Sequence, residues 1–280
     1  MSTGAGSDED PNYVSRVVAV AGRSVAQVLR TPTHSRRAMA ARRLARHSLL
    51  MTAMLGTAIF LLMYILDAVE IGLMPARGTP SLWPVRILTE FGKDAYVLFA
   101  LGGILLAVGL VSAAIPPNTR AQLLSFGTRL QFLFFAVLFP LLAGEALKWI
   151  VGRGRPFVGG EANAFNFVPF AGTGAYASFP SAHAITAFAL AFAASSVWPR
   201  LRFVMLAYAV LIAGTRLLLL SHHPSDVVAG ALIGVVGAMA VRYWFAARRL
   251  GFAIRRDGQI VPLRRASGHF KRVAPTRSAS

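Results

Sequence analysis

The sequence predicts an all-α fold: a polytopic membrane helix bundle with six transmembrane helices and an amphipathic helix at the N-terminus. Composition and charge placement carry that reading. The 280 residues are 55% hydrophobic and only 14% charged, against about 25% charged residues in a soluble domain. The charges crowd the chain ends and the short connections, and the six long apolar runs hold only Glu145, Arg216 and Arg242.

The 29 Lys and Arg outweigh the 11 Asp and Glu, for a formal charge of +18. So basic a chain suits either nucleic acid or an anionic membrane surface. Cations flanking apolar runs decide for the membrane. Membrane lipids are the expected partners, and nucleic acid is not. Cysteine is absent, which excludes a disulfide framework, a thiolate metal site and a cysteine nucleophile.

Residues 1–47 read as a basic cytoplasmic segment, partly disordered. Met1 to Asn12 are small, polar and acidic, which predicts disorder. From Tyr13 to Arg30, valines alternate with Arg16, Arg23 and Arg30, seven residues apart. Such residues share a helix face, so a helix lying on the membrane surface is expected; a frayed basic tail is the competing reading. The first 47 residues lack the apolar run of a signal peptide.

Residues 48–246 hold the spans, expected near Leu49–Leu66, Tyr96–Ile115, Leu130–Leu147, Ala182–Val197, Phe203–Leu220 and Val227–Phe245. A crossing takes about 20 residues. The fourth run is short, and the fifth reaches full length only by including Arg216. Arg36, Arg37, Arg42, Arg43 and Arg46 precede the first run. Arg120, Arg129, Arg200 and Arg202 lie in alternate connections, and Arg248, Arg249, Arg255 and Arg256 follow the last run. With six crossings all share one side, which the positive-inside rule makes cytoplasmic. Both termini are then cytoplasmic. The loops Asp67–Ala95, Lys148–Ser181 and Ser221–Asp226 lie outside. Asp67, Glu70, Glu90, Lys93 and Asp94 edge the first of these and are expected to be solvated. Residues 247–280 read as a basic cytoplasmic tail, mobile from Gly251 onward.

Ionisable residues at or inside apolar spans are costly and mark function. They form three clusters here: Lys148 with Arg153, Arg155 and Pro156; Pro180, Ser181, Ala182 and His183; and Thr215, Arg216, His222, His223, Pro224 and Asp226. The parity of six crossings puts all three on one membrane face. Several cations plus helix N-terminal amides make a seat for a multiply charged anion, phosphate above all. His222 and Asp226 are four apart on one helical face. The carboxylate can accept from one ring nitrogen and leave the other to attack phosphorus. His183 can protonate the leaving oxygen and then activate water. A metal reading of His222, His223 and Asp226 is weakened by the surrounding cations. His223 reads as a bystander. Arg153 either touches substrate or anchors headgroups, and Glu145 either pairs with Lys148 or lines a polar seam.

These residues resemble a three-part signature. Lys148 to Pro156 fits K-x6-R-P, Pro180 to His183 resembles P-S-G-H, and Thr215 to Asp226 resembles S-R-x5-H-x3-D. Together they are similar to the type-2 phosphatidic acid phosphatase superfamily, which includes bacterial phosphatidylglycerophosphatase B-like enzymes and vanadium haloperoxidases. Ala182 stands where that pattern has Gly, and Thr215 where it has Ser. The resemblance implies that Lys148, Arg155, Arg216, Ser181 and the Ala182 amide bind phosphate. It makes His183 the acid, His222 the nucleophile and Asp226 its orienting carboxylate, with no metal and no cofactor. It further implies a lipid phosphatase working through a phosphohistidine on the outer face of a bacterial inner membrane. The substrate would be a phospholipid or isoprenoid phosphate: phosphatidic acid, phosphatidylglycerophosphate, undecaprenyl pyrophosphate or a lipid A phosphate. A lipid phosphotransferase, and a non-catalytic transporter or scaffold, are the alternatives. Oligomeric state is not legible.

Overall fold

A backbone in hydrocarbon must satisfy its own hydrogen bonds, so long apolar runs fold as helices. The computed structural model describes residues 12–156, 158, 163–255 and 259–263. The helices are α1 (Tyr13–Leu29), α2 (His34–Ile65), α3 (Asp67–Leu73), α4 (Trp83–Glu90), α5 (Asp94–Ala114), α6 (Pro117–Val151), α7 (Ala182–Val197), α8 (Arg202–Leu218) and α9 (Pro224–Ala247). An antiparallel pair follows, β1 (Phe252–Ile254) and β2 (Ile260–Pro262), with Ala253 opposite Val261. Of the disorder expected from Met1 to Asn12, residues 1–11 lie outside the described residues, as does the mobility expected beyond 263, whereas Asn12 takes the cap position of α1.

The apolar runs fall in α2, α5, α6, α7, α8 and α9. Among the described residues five helical stretches are long and apolar enough to cross a membrane, and α7, with 16 residues, is shorter. α2 and α6 begin well ahead of their apolar runs, through arginine-bearing turns. The segment 13–29 is helical, and Asn12 caps it by accepting from the Ser15 N–H at 2.9 Å.

α7 packs against α6, α8 and α9. Its alanines, Ala184, Ala187, Ala189 and Ala193, are fully buried, and small residues let apolar helices approach closely. Opposite them α9 presents Gly230 and Gly234. A Cβ at Gly230 would meet the Ser181 carbonyl at 2.6 Å, and one at Gly234 would meet the Ile185 carbonyl at 2.5 Å. This contact brings the start of α7 against the start of α9, where the Ser181 N–H donates to the Asp226 carbonyl at 3.1 Å.

The bundle has two chemically different ends. At one, α3 and the ends of α6 and α8 meet the starts of α7 and α9. At the other, α1 lies against α5 and α9. Tyr13 donates to the Leu110 carbonyl at 3.1 Å, and the Trp244 indole donates to the Val28 carbonyl at 3.3 Å.

Two expectations are corrected. The first outer loop carries α3 and α4, and Asp67 and Glu70 are buried, at 0% and 4% exposure; the partners Asp67 finds across the bundle explain its burial. The tail past Gly251 is not loose at its start. Phe252 is buried edge-on against Phe132, with centroids 4.8 Å apart, and anchors the hairpin.

Candidate active site

α6 stops at Gly152, whose φ of 56° is left-handed. An L side chain is strained there, and a Cβ would also strike the Val168 carbonyl. The chain then folds back on itself. Arg153 bridges to Phe167, the Arg155 N–H donates to the Ala175 carbonyl at 2.9 Å, and the Ser178 N–H donates to the Arg153 carbonyl at 3.0 Å.

Arg153 points inward and is 0% exposed. Its guanidinium donates to Asp226 Oδ1 at 2.6 Å, Asp67 Oδ2 at 2.8 Å, Ser225 Oγ at 2.6 Å and the Ala164 carbonyl at 2.6 Å. Asp67 also accepts from the Ser225 N–H at 3.0 Å and from the Ser225 hydroxyl. A buried ion pair is tolerated when its remaining donors and acceptors are satisfied, and these are. Arg153 therefore touches neither substrate nor headgroup: it clamps the first span's outlet to the start of α9.

That clamp changes the environment of His222. The Asp226 carboxylate is taken by Arg153, by the Ser178 hydroxyl at 2.6 Å and by the His223 N–H at 2.9 Å. His222 Nδ1 is 3.9 Å from it and donates instead to the Ser178 carbonyl at 2.7 Å. The direct hydrogen bond expected from His222 to Asp226 is thus replaced by a relay through Ser178. A carbonyl only accepts, so Nδ1 carries the proton and Nε2 keeps its lone pair. Burial, with the Arg216 and Arg155 charges, pushes His222 well below its ordinary value of 6.5, against the opposing pull of the Ser178 carbonyl. The imidazole is neutral. His223 is fully buried and contributes its backbone N–H.

Arg216 and Arg155 stand near this ring, and Lys148 near His183. Lys148 pairs with Glu145 at 2.5 Å, the partner one turn back. Arg216 is 7% exposed and donates to Thr89 Oγ1 at 2.8 Å; the Thr215 hydroxyl meets the same oxygen at 3.0 Å. Among the described residues Arg155 Nε, Arg216 Nε and Ser181 Oγ are buried with no hydrogen-bond partner. Ala182 opens α7, and its backbone has no positive φ. His183 follows it, and the Arg216, Lys148, Lys93 and Arg155 charges all act on it. No group of three His, Cys, Asp or Glu among the described residues could hold a metal ion.

The site therefore includes Asp67, Thr89, Ser178 and Ser225, which sequence reasoning did not assign, and Arg153, for which it weighed two other roles. Asp67 gave one signal, an acid directly after the first apolar run. Ser178 and Thr89 gave none.

The PAP2 superfamily model matches residues 129–250, which contain all three motif clusters. A lipid A 1-phosphatase of Rhizobium johnstonii is 32% identical over 211 residues, covering 72% of this chain and 82% of that protein. The chain belongs to the PAP2 superfamily. A lipid A 1-phosphatase of Rhizobium etli is 33% identical over 175 residues, covering 62% of this chain and 75% of that protein. No solved structure matches the chain. The PAP2 match begins inside α6, so Asp67 and Thr89 reach the site from outside the matched region.

Proposed function

We propose that this PAP2 protein is a metal-independent membrane lipid phosphatase that removes the 1-phosphate of a lipid A-type glycolipid through a phosphohistidine on His222. Lys148, Arg155, Arg216, Ser181 and the Ala182 amide seat the phosphate. His222 Nε2 attacks phosphorus, and the bond to the leaving oxygen breaks as His183 supplies its proton. His183 then takes a proton from water, whose oxygen attacks the phosphohistidine and releases inorganic phosphate. Asp226 acts on His222 through Ser178.

One observation carries this reading: Arg155 Nε, Arg216 Nε and Ser181 Oγ are buried donors without partners, set beside a neutral imidazole. An unmet buried donor costs about 1–3 kcal/mol, and one phosphate offers enough oxygens to satisfy all three. The names of the two Rhizobium relatives favour the lipid A headgroup over the other candidate lipids.

The membrane arrangement follows from the same proposal. α7 is the fourth of six crossings, and residues 48–246 form the phosphatase unit. Residues 1–47, with α1 on the membrane surface, and residues 247–280 lie on the cytoplasmic side of a bacterial inner membrane. The active site faces the periplasm, where the sugar phosphate stays in water and the acyl chains stay in the bilayer.

The test is a mixed-micelle assay with lipid A, phosphatidic acid, phosphatidylglycerophosphate and undecaprenyl pyrophosphate. Free phosphate should come fastest from lipid A, and His222→Ala should abolish it. Acid-quenched wild-type protein should retain label from phosphate-labelled substrate. Label passing to a second lipid instead of to free phosphate would make the protein a phosphotransferase. If wild type and His222→Ala behave alike on every lipid, the enzyme reading fails.

A further inference from the structure

A second feature starts beside the site, at Leu147 next to Lys148, and runs to the opposite end of the bundle. An apolar cavity of about 950 Å³ runs between α1, α6 and α9, with Thr52 of α2 on one side. Val25, Val28, Phe135, Phe139, Trp244 and Phe245 are among the residues that line it. Along α6 it extends from Leu147 to Gln131, about 24 Å at 1.5 Å per residue. One leaflet of hydrocarbon is about 15 Å thick, so an acyl chain fits lengthwise.

The cavity's far end carries charge. Arg30 donates to the Arg248 carbonyl at 2.7 Å, and the Arg30 and Arg37 charges both act on Arg248. Among the described residues none of these three arginines forms a salt bridge. Arg248 is only 8% exposed, and its Nε has no hydrogen-bond partner among the described residues. Its guanidinium lies 3.6 Å from the centroid of the Trp244 ring, which is itself a cavity wall. A nearly buried cation with an unmet donor, beside two like charges, calls for an anion. The cavity calls for a hydrocarbon chain.

We infer that Arg30, Arg37 and Arg248, together with the cavity between α1, α6 and α9, bind an anionic phospholipid of the leaflet opposite the active site. The phosphodiester sits on the arginines and one acyl chain fills the cavity. The substrate's own chains do not explain the arginines, because the proposed phosphate seat is at the other end of the bundle. A zwitterionic lipid does not explain them either, since it brings no net charge. The lipid joins α1 to the bundle, because α1 supplies part of the cavity wall and Arg30 follows directly at its C-terminal end. This inference is independent of the proposed phosphatase activity.

Fluorescence of Trp244 tests it. The other three tryptophans, Trp83, Trp149 and Trp198, are replaced by Phe, and the protein is placed in vesicles of phosphatidylcholine. A minor fraction of the lipid is acyl-brominated phosphatidylglycerol in one arm and acyl-brominated phosphatidylcholine in the other. Brominated phosphatidylglycerol should quench Trp244 far more strongly, with a preference of about fivefold per arginine. R30Q/R37Q/R248Q should erase the preference, the corresponding Lys variants should keep it, and Ala240→Phe, which fills the cavity, should weaken quenching by both lipids. Equal quenching in the two arms with the arginines intact overturns the proposal, and that comparison needs none of the arginine or cavity variants. A preference abolished by millimolar inorganic phosphate would mark a free-anion site and overturn the lipid assignment.

Discussion

Ser178 contributes two atoms to the site with two different effects. Its carbonyl fixes the tautomer of His222, and its hydroxyl is one of three donors to Asp226. Ser178→Ala keeps the carbonyl and removes only the hydroxyl. We expect a loss of about 1 kcal/mol in thermal unfolding and a modest fall in kcat with KM unchanged. Asp226→Asn leaves Arg153 short of one of its two charge partners, and breaking a buried pair costs about 3–5 kcal/mol. It should therefore lower Tm sharply as well as kcat. If Asp226→Asn cut turnover with no change in Tm, the clamp role of Asp226 would be wrong.

Two buried groups give opposite pH signatures. Burial, then the Asp67 and Asp226 charges, pushes Glu70 up from 4.5 to about 7. The folded protein favours its neutral carboxyl, so that stabilisation is complete below the unfolded value of 4.5 and is lost as pH rises through about 7. His222 is depressed, so its contribution is present above 6.5 and is lost as pH falls toward its folded value. In Glu70→Gln the decline in Tm between pH 4.5 and about 7 should disappear; an unchanged profile would remove Glu70 as its cause. The motif positions were legible in the sequence because their spacing is fixed within single segments. Asp67 and Thr89 were not, because an acid or a threonine outside any motif looks the same whether it is solvated or bonded across the bundle.

At the scale of elements, the α7–α9 contact controls where Ser181 meets Asp226. Gly→Ala in a helix interior normally stabilises by about 1 kcal/mol. Gly230→Ala should instead lower Tm, since its Cβ meets the Ser181 carbonyl at 2.6 Å, and Gly230→Leu should abolish activity. A rise in Tm for Gly230→Ala would show that the helices have room to part. The apolar cores of the helices were readable from hydropathy. The polar starts of α2 and α6, at His34 and Pro117, were not, because a helix continuing past its apolar run leaves no hydrophobic signal. The hairpin depended on Phe252 finding Phe132, a contact that no local pattern announces.

At the scale of the whole molecule, the PAP2 match covers 129–250, and the other described residues add α1 to α5, the first turns of α6 and the β1–β2 pair. The proposed mechanism places no metal in any step. Phosphate release should therefore survive EDTA, and vanadate should inhibit by resembling pentacoordinate phosphorus. Strict dependence on magnesium would sink the mechanism while leaving the bundle intact. Reporter fusions after Ile115 and after Val197 test the crossing count. Six crossings place both reporters in the cytoplasm, whereas a bundle in which α7 does not cross would put the second one outside.

The pairing of Arg153 with Asp67 and Asp226 also bears on how the protein is made. Asp67 leaves the ribosome before either Arg153 or Ser225 exists, so the young chain carries an acid just past α2 without the partners it has in the folded bundle. Arg153 follows at the end of α6, and only the final helix brings Ser225 to complete the set of partners. Insertion thus ends in a closing step that joins α3 to the start of α9, and a chain that stops short of α9 leaves the Asp67 carboxylate with only part of its bonding.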